Sequence, residues 1–303
     1  MTDPAKQTPP TPPVNENATS QQPSSGLVRR IGPAIFMSVF ALSVTFAGGW
    51  FFAFAAGLTG VLMILEWQTL TNVSRNSASG LLQSSSIVIA VGLSVLGPIS
   101  ASLVILGLGS LAAGLAAKVQ GAKLWQAIFG VLYMGLPMVA IMWLRETPGG
   151  EHAFRSVGFY NILWIFAVVW TGDTGAYMFG RLIGGPKLAP NISPNKTWAG
   201  AIGGAAASIA AGLAMAFLAM NVLYDSQPSV LMVSLVAFVV AVVAQLGDLA
   251  ESAFKRSVGV KDSGNLIPGH GGALDRLDGF LPAVLVAVAL VTFFGTVGHV
   301  WLG

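Results

Sequence analysis

Apolar runs of about 16 to 25 residues recur along this chain, and short polar or Gly/Pro-containing breaks separate them. Runs of this length suit helices that cross the ~30 Å hydrocarbon core of a membrane. The pattern predicts nine spans, at about 31–46, 48–65, 79–96, 98–117, 124–144, 157–180, 198–222, 229–250 and 280–302. The breaks at Gly48-Gly49 and Gly97-Pro98 fit either tight turns between spans or kinks within one span. The predicted fold class is therefore an all-α, polytopic integral membrane protein.

The composition agrees with a membrane protein. Hydrophobic residues make up 54% of the 303 residues, charged residues only 9%, and 37 residues are glycine. A soluble domain does not need this apolar content to fill one core, and small residues let membrane helices pack closely. The absence of cysteine excludes disulfides, thiolate chemistry and zinc held by cysteine.

The positions of the basic residues predict an orientation in the membrane. With nine spans, all of the 15 Lys and Arg residues except Arg145 and Arg155 fall on one side. Cytoplasmic loops are enriched in Lys and Arg, so this side is expected to be the cytoplasm. The N-terminus is then cytoplasmic and the C-terminus lies outside. The first apolar run follows Arg29 and Arg30, so the first helix is expected to be retained and not cleaved as a signal.

Acidic residues occur in or beside three of the predicted spans. They are Asp173, Asp248 with Glu251, and Asp275 with Asp278. The predicted topology places all of them in the cytoplasmic half of the membrane. An ionised Asp within a span costs about 2.5–3.5 kcal/mol on insertion scales, so such residues usually mark a functional site.

Each acid also has a simpler interpretation. Asp173 could pair with a neighbouring Lys or Arg, and Glu251 could be a solvated acid at the interface. Asp278 could cap the ninth helix. Glu66, beside Trp67 at the end of the second span, is expected to be an interfacial anchor and not a catalyst.

Carboxylates gathered in one place repel each other unless a cation lies between them. Mg²⁺ suits such a site because it takes one or two carboxylates and completes its shell with water and substrate phosphates. The basic residues in the same part of the chain offer counter-charges for phosphate; they are Lys187, Lys196, Lys255, Arg256, Lys261 and Arg276. The combination indicates phosphate chemistry at a membrane face.

The stretch GHGGALDRLDG, residues 269–279, is polar and glycine-rich in a chain that is otherwise mostly apolar. Gly271 and Gly272 could let backbone amides approach phosphate oxygens. His270 has no second His at ligand spacing, so a hydrogen-bonding role is favoured over metal ligation.

Residues 252–278, from SAFKRSVGVKDSGNLIPGHGG to ALDRLD, resemble the signature of the phosphatidate cytidylyltransferases, also called CDP-diacylglycerol synthases. The stretches DTGAYMFGR at 173–181 and ISPNKTW at 192–198 are similar to that family as well, as is Gly247-Asp248-Leu249. The motifs cover roughly residues 160–285. The sequence departs from the family pattern at Ala199 and Ala273, so no catalytic role is assigned to position 199.

The resemblance implies condensation of CTP with phosphatidic acid to give CDP-diacylglycerol and diphosphate, with Mg²⁺ and with K⁺ as a further cation. It implies that Asp248 and Asp275 are catalytic and bind the metal, with Asp173 as a supporting acid. The residues expected to bind substrate are Ser193, Lys196, Lys255, Arg256, Lys261, His270, Gly271, Gly272 and Arg276. The expected partners are the lipid bilayer and a second copy of the chain, with no nucleic acid, and the expected location is the bacterial inner membrane with the site facing the cytoplasm.

Two domains follow from these expectations. Residues 1–28 are rich in Pro, Ser, Thr, Asn and Gln and are predicted to be a disordered cytoplasmic tail. Residues 29–303 form the transmembrane domain, with N-terminal helices in 29–156 and the catalytic helices and cytoplasmic loops in 157–303.

Two other functions fit part of the sequence. An ion-coupled transporter would also have intramembrane acids, but it predicts acids near the bilayer midplane and repeats between its halves. Here the acids cluster on one face and no repeat is found. A different membrane enzyme of phospho-lipid transfer would carry paired Asp residues at another spacing.

Overall fold

The computed structural model describes residues 23–147, 156–224, 227–264 and 271–293. Within these ranges the protein is mostly helical, as the apolar runs predicted. The elements in chain order are α1 (Pro23–Ala47), α2 (Gly49–Leu70), α3 (Ala78–Leu96), α4 (Ile99–Val119), α5 (Leu124–Arg145), α6 (Val157–Leu182), β1 (Lys187–Ala189), β2 (Ser193–Thr197), α7 (Trp198–Leu223), α8 (Val230–Ser257), α9 (Leu274–Leu277) and α10 (Phe280–Phe293).

Among the residues that the structure describes, seven helices, α2 to α8, are long and apolar enough to cross a membrane. Shorter apolar helices occupy Ile35–Ala47 and Phe280–Phe293, where the first and ninth spans were predicted. The protein is therefore a multi-pass membrane protein. Helix α1 begins at Pro23, earlier than predicted, and proline is favoured at a first helical position. The rest of the predicted tail, residues 1–22, and the rest of the ninth span, residues 294–302, lie outside the described residues.

The breaks at 48–49 and 97–98 are turns between separate helices. Gly48 and Gly49 have φ values of 62° and 50°, in the left-handed region that glycine adopts without strain. Near this turn, the Arg145 guanidinium donates to Thr45 O at 2.6 Å, and Gly49 N donates to Glu146 at 3.0 Å. The α1–α2 turn and the C-terminal end of α5 therefore lie together, at the end of the helix bundle away from the acids.

The all-α expectation is wrong for the segment between α6 and α7, which contains an antiparallel hairpin of β1 and β2. Ile192 N donates to Ala189 O at 3.2 Å across a tight turn. Pro190 occupies the position that proline favours in such turns, and this was the local signal for the hairpin. Strand β2 leads directly into α7.

Helices α6 and α7 pack closely through small residues. Ser208 Oγ donates to Val168 O at 2.7 Å, and Trp164 Nε1 donates to Gly212 O at 2.9 Å. A Cβ on Gly204 would lie 2.7 Å from Gly172 O, so the two backbones meet directly. This packing fixes the C-terminal part of α6, which carries Asp173, against the start of α7.

Candidate functional site

The acidic residues of α6, α8 and the 271–278 segment lie at one end of the helix bundle, which we call the acidic end. The prediction for α8 stopped at residue 250, where the apolar run ends, but the helix continues to Ser257. The helix therefore carries Asp248, Glu251 and Lys255 at spacings of three and four residues, which place them on one face.

The first charge group consists of Asp173 on α6, Lys196 on strand β2 of the hairpin and Asp248 on α8. Lys196 Nζ lies 2.5 Å from Asp248 Oδ2, and both side chains are partly exposed. Asp173 lies within electrostatic range of Asp248, Lys196 and Arg276. All four are among the residues predicted from the sequence to belong to the site, and the fold brings them to one place.

Local structure explains the position of Lys196. The next residue, Thr197, is the N-cap of α7, and its hydroxyl accepts from Gly200 N at 3.1 Å. One turn before Asp248, Gln245 Nε2 donates to Ala201 O at 3.1 Å and ties α8 to α7. Lys196, on β2 directly before α7, and Asp248, on α8, are therefore positioned by two neighbouring helices that are bonded to each other.

The second charge group is buried and centres on Lys255. Its Nζ lies 2.5 Å from Asp275 Oδ1 and 3.0 Å from Glu251 Oε1. Lys255 was predicted to bind substrate, but here it is the counter-charge of two carboxylates. The alternative interpretation of Glu251 as a solvated acid at the interface is wrong, because Glu251 is buried.

Asp275 is also held by the backbone. Ser263 N donates to both of its oxygens, at 3.0 and 2.9 Å, and Gly272 N donates to Oδ2 at 2.8 Å. Burial alone would raise the pKa of Asp275, but the hydrogen bonds from Lys255, Gly272 and Ser263 outweigh it and hold this pKa below its ordinary value. Asp275 is therefore ionised at neutral pH.

The glycines before Asp275 shape this loop. Gly271 has a φ of 83°, which favours glycine. Gly272, predicted to bind phosphate through its amide, donates that amide to Asp275 in this structure. His270 lies outside the described residues.

Asp278 lies beside the first charge group, at the start of α10. A Cβ on Gly247 would lie 2.8 Å from Asp278 O, so the two backbones are in contact next to Asp248. Asp278 Oδ1 accepts from Gly279 N at 2.8 Å, the amide of the next residue and not one from the first turn of α10. Burial raises the pKa of Asp278 to about 8, with further contributions from the negative charges of Asp248 and Glu251.

The other predicted substrate-binding residues lie at the surface of the acidic end. Arg256 and Lys261 are exposed, and Arg256 donates to Val260 O at 3.2 Å. Ser193 is half-buried at the start of β2, and Arg276 is exposed on α9. The fold therefore places these residues at the same end as the two charge groups without showing which of them contacts a ligand.

Sequence reasoning missed the role of Glu66. This residue is buried, not interfacial, and it accepts hydrogen bonds from Ser263 Oγ at 2.8 Å, Ala273 N at 2.8 Å and Leu274 N at 2.9 Å. The sequence offered one signal: an acid near the C-terminal end of an apolar helix, where the helix dipole does not favour a negative charge.

The carboxylates of the acidic end are candidate ligands for Mg²⁺. No group of three or more His, Asp or Glu side chains in the described ranges is arranged to hold a metal. Mg²⁺ needs only one or two protein carboxylates when phosphates and water complete its shell. Asp248 fits this role because it is partly exposed and lies beside a single lysine. Asp275 would first have to release one of its present donors.

These features define a multi-pass membrane protein with a carboxylate and lysine site at one end of its helix bundle. The chain belongs to the cytidylyltransferase family, whose family model matches residues 28–294. It is 40% identical over 277 residues to proteins named phosphatidate cytidylyltransferase from Brucella suis and Brucella abortus, and the alignments cover 90% of this chain and 94% of each relative. A protein of the same name from Staphylococcus haemolyticus is 50% identical over 130 residues, 43% of this chain and 48% of the relative. The resemblance seen in the signature is thereby confirmed.

Proposed function

We propose that this protein is a phosphatidate cytidylyltransferase, which condenses CTP with phosphatidate to give CDP-diacylglycerol and diphosphate. The observation that carries the proposal is the Lys196–Asp248 pair at the acidic end, with Asp173 and Arg276 in electrostatic range. A partly exposed group of both charge signs suits a substrate that brings phosphates and a metal ion together.

In this reaction a phosphate oxygen of phosphatidate attacks the α-phosphorus of CTP. The new P–O bond forms as the bond between the α-phosphorus and the oxygen bridging to the β-phosphate breaks, and diphosphate leaves. Such transfers depend on positioning and on neutralising charge more than on covalent chemistry by the protein. Lys196 can supply neutralisation by exchanging its contact with Asp248 for a phosphate oxygen. The Arg276 guanidinium can bind a second phosphate in a bidentate manner.

Asp248 and Asp275 are the residues that would hold Mg²⁺. When bound, the ion would neutralise phosphate charge and help to orient the two substrates. Asp173 supports the group as a further negative charge near Asp248. The family resemblance is the basis for proposing K⁺ as a further cation.

The exposed basic residues Arg256, in the last turn of α8, and Lys261, just after this helix, lie where a lipid phosphate at the membrane surface can reach them. Together with Ser193, His270 and Gly271 they complete the set proposed to bind substrate. The lipid bilayer supplies phosphatidate directly to this end of the bundle, and no nucleic acid takes part.

The membrane arrangement proposed for this function has nine spans, with the N-terminus and the acidic end facing the cytoplasm of a bacterial inner membrane and the C-terminus outside. It is supported by the distribution of Lys and Arg. We further propose a homodimer and a transmembrane domain in 29–303 that follows a polar N-terminal tail, with the catalytic part in 157–303.

The test is an assay of purified protein in detergent with labelled CTP, phosphatidate and Mg²⁺, followed for lipid-linked CMP. Asp248→Asn and Asp275→Asn keep the side-chain size but remove the charge that a hard cation needs, so turnover should fall by orders of magnitude. Wild-type turnover of either variant across a Mg²⁺ titration would end the proposed metal role of that residue. Absence of any lipid-linked CMP with the wild-type protein would end the proposed function.

A further inference from the structure

Glu66 lies on α2, in the N-terminal half of the chain and far in sequence from the signature. We propose that Glu66 is a positioning residue that holds the carboxylate of Asp275 in the geometry needed for the reaction. The inference rests on the proposed function of Asp275, and it assigns a specific task to a helix that the signature does not include.

Ser263 connects the two carboxylates. Its hydroxyl donates to Glu66 Oε2 at 2.8 Å, while its backbone N–H donates to both oxygens of Asp275. A second connection runs through consecutive amides: Gly272 N donates to Asp275, and Ala273 N and Leu274 N donate to Glu66. The same two short segments therefore bind both acids, so a shift of Glu66 moves the donors of Asp275.

The missing side chains of two glycines make this arrangement possible. A Cβ on Gly264 would lie 2.9 Å from Glu66 Oε1, and a Cβ on Gly272 would overlap Ser263 Oγ and Glu66 Oε2. The loop therefore closes around the Glu66 carboxylate with no space for a larger residue. The glycine requirement at position 272 follows from contact with a protein carboxylate.

Glu66 itself has a fixed position. The neighbouring Trp67 stacks on Phe254 with 4.5 Å between ring centroids, and its Nε1 donates to Gln126 O at 2.9 Å. Phe254 precedes Lys255, the cation that binds Asp275. Helix α2 thus contacts both the donors of Asp275 and the part of α8 that supplies its counter-charge.

Glutamine cannot replace Glu66 without loss. The two oxygens of Glu66 accept from two backbone amides and one hydroxyl, whereas glutamine has a single acceptor oxygen. In either orientation of its amide group, at least one loop N–H faces an NH₂ group and loses its partner. Outer residues that orient a metal-binding side chain cost about 10–100-fold in activity or metal affinity when changed, and we expect an effect of this size.

The test compares Glu66→Gln with Ser263→Ala, which removes one donor to Glu66 but keeps the Ser263 N–H that binds Asp275. Glu66→Gln should lower kcat by about 10–100-fold and raise the Mg²⁺ concentration for half-maximal rate, with the KM for phosphatidate little changed. Ser263→Ala should shift the same two quantities less. The double variant should be no worse than Glu66→Gln within about threefold, because both changes act on one connection.

Hydrogen–deuterium exchange of the metal-free protein gives a readout that does not depend on turnover. Peptides covering 271–277 should exchange faster in Glu66→Gln, and peptides from α6 should not change. The matched control is Glu146→Gln, since Glu146 also accepts from a backbone amide, Gly49 N, but at the opposite end of the bundle. It should leave exchange at 271–277 and the Mg²⁺ dependence unchanged.

Asp275→Asn, assayed in the same experiment, distinguishes failure of the proposed role of Asp275 from failure of the inference on Glu66. If Asp275→Asn has wild-type turnover, the proposed role of Asp275 fails and this inference fails with it. If Asp275→Asn is impaired while Glu66→Gln and Ser263→Ala keep wild-type turnover and Mg²⁺ dependence, only the inference is overturned. Lower turnover with an unchanged Mg²⁺ dependence and unchanged exchange at 271–277 would also overturn it. If Glu66→Gln does not fold, Ser263→Ala alone decides by the same measurements.

Discussion

Lys255 Nζ lies 2.5 Å from Asp275 Oδ1, although 20 residues separate them in sequence. The same nitrogen lies 3.0 Å from Glu251 Oε1, so one buried cation is shared by two buried carboxylates. Removing one member of a buried charge group leaves the others without compensation, which costs more than the group contributes when it is intact. Lys255 is therefore expected to be needed for stability as well as for the site.

Lys255→Met should lower the free energy of unfolding by about 3–5 kcal/mol because it leaves the buried carboxylates of Glu251 and Asp275 without a neighbouring cation. Chemical denaturation in detergent measures the change. Lys118→Met is the matched control, since Lys118 is exposed in the last turn of α4 and its loss should change the free energy by less than about 0.5 kcal/mol. Equal effects of the two variants would show that the buried group does not stabilise the fold.

Lys196→Met tests the first charge group. It removes the cation beside Asp248, and the proposed function expects Lys196 to bind a phosphate, so kcat/KM for CTP should fall by about 100-fold, or ~2.7 kcal/mol of transition-state stabilisation. Steady-state rates at varied CTP measure this change. Lys123→Met removes a lysine just before α5 and should keep wild-type kinetics. If Lys196→Met also has wild-type kinetics, Lys196 does not bind substrate.

The sequence predicted the large features of this fold well because apolar length directly determines whether a segment can cross a membrane. Helices occur at all nine predicted positions within the described ranges. The boundaries were less accurate where a helix continues beyond the membrane. The end of α8 at Ser257 could not be predicted from hydrophobicity, because residues 251–257 are mostly polar but still helical.

The sequence predicted which residues belong to the candidate site but not which of them form ion pairs with each other. The signature and the other family-like stretches contained Asp248, Asp275 and the basic residues, yet sequence spacing does not reveal that Lys196 pairs with Asp248 while Lys255 pairs with Asp275. Glu66 was missed for the same reason. Its partners are 197 to 208 residues away in sequence, and such contacts depend on tertiary packing that local patterns do not contain.

Asp278→Asn should stabilise the metal-free protein at neutral pH. The pKa of Asp278 is raised to about 8, so the folded protein binds a proton that the unfolded chain has already lost above its ordinary, lower pKa. Stability therefore falls as the pH rises between the two pKa values. Asparagine resembles the protonated acid and keeps an oxygen to accept from Gly279 N.

The measurement is the unfolding temperature with EDTA from pH 5 to pH 8.5. The gain from Asp278→Asn should be small at pH 5 and should grow toward pH 8. A constant difference across this range would show that Asp278 does not change its proton binding on folding.

The orientation in the membrane can be tested with fused reporters. Arg145 lies near the α1–α2 turn, at the opposite end from the acids, whereas the nine predicted spans place most other basic residues on the side of the acids. Positive charge is retained in the cytoplasm, so a reporter that is active only outside the inner membrane should be active after Gly303 and silent at Lys261. A cytoplasm-active reporter at the same two sites should give the opposite result, and immunoblots should show equal expression. Activity of the outside reporter at Lys261 would place the acidic end outside, where the proposed reaction would have no access to cytoplasmic CTP.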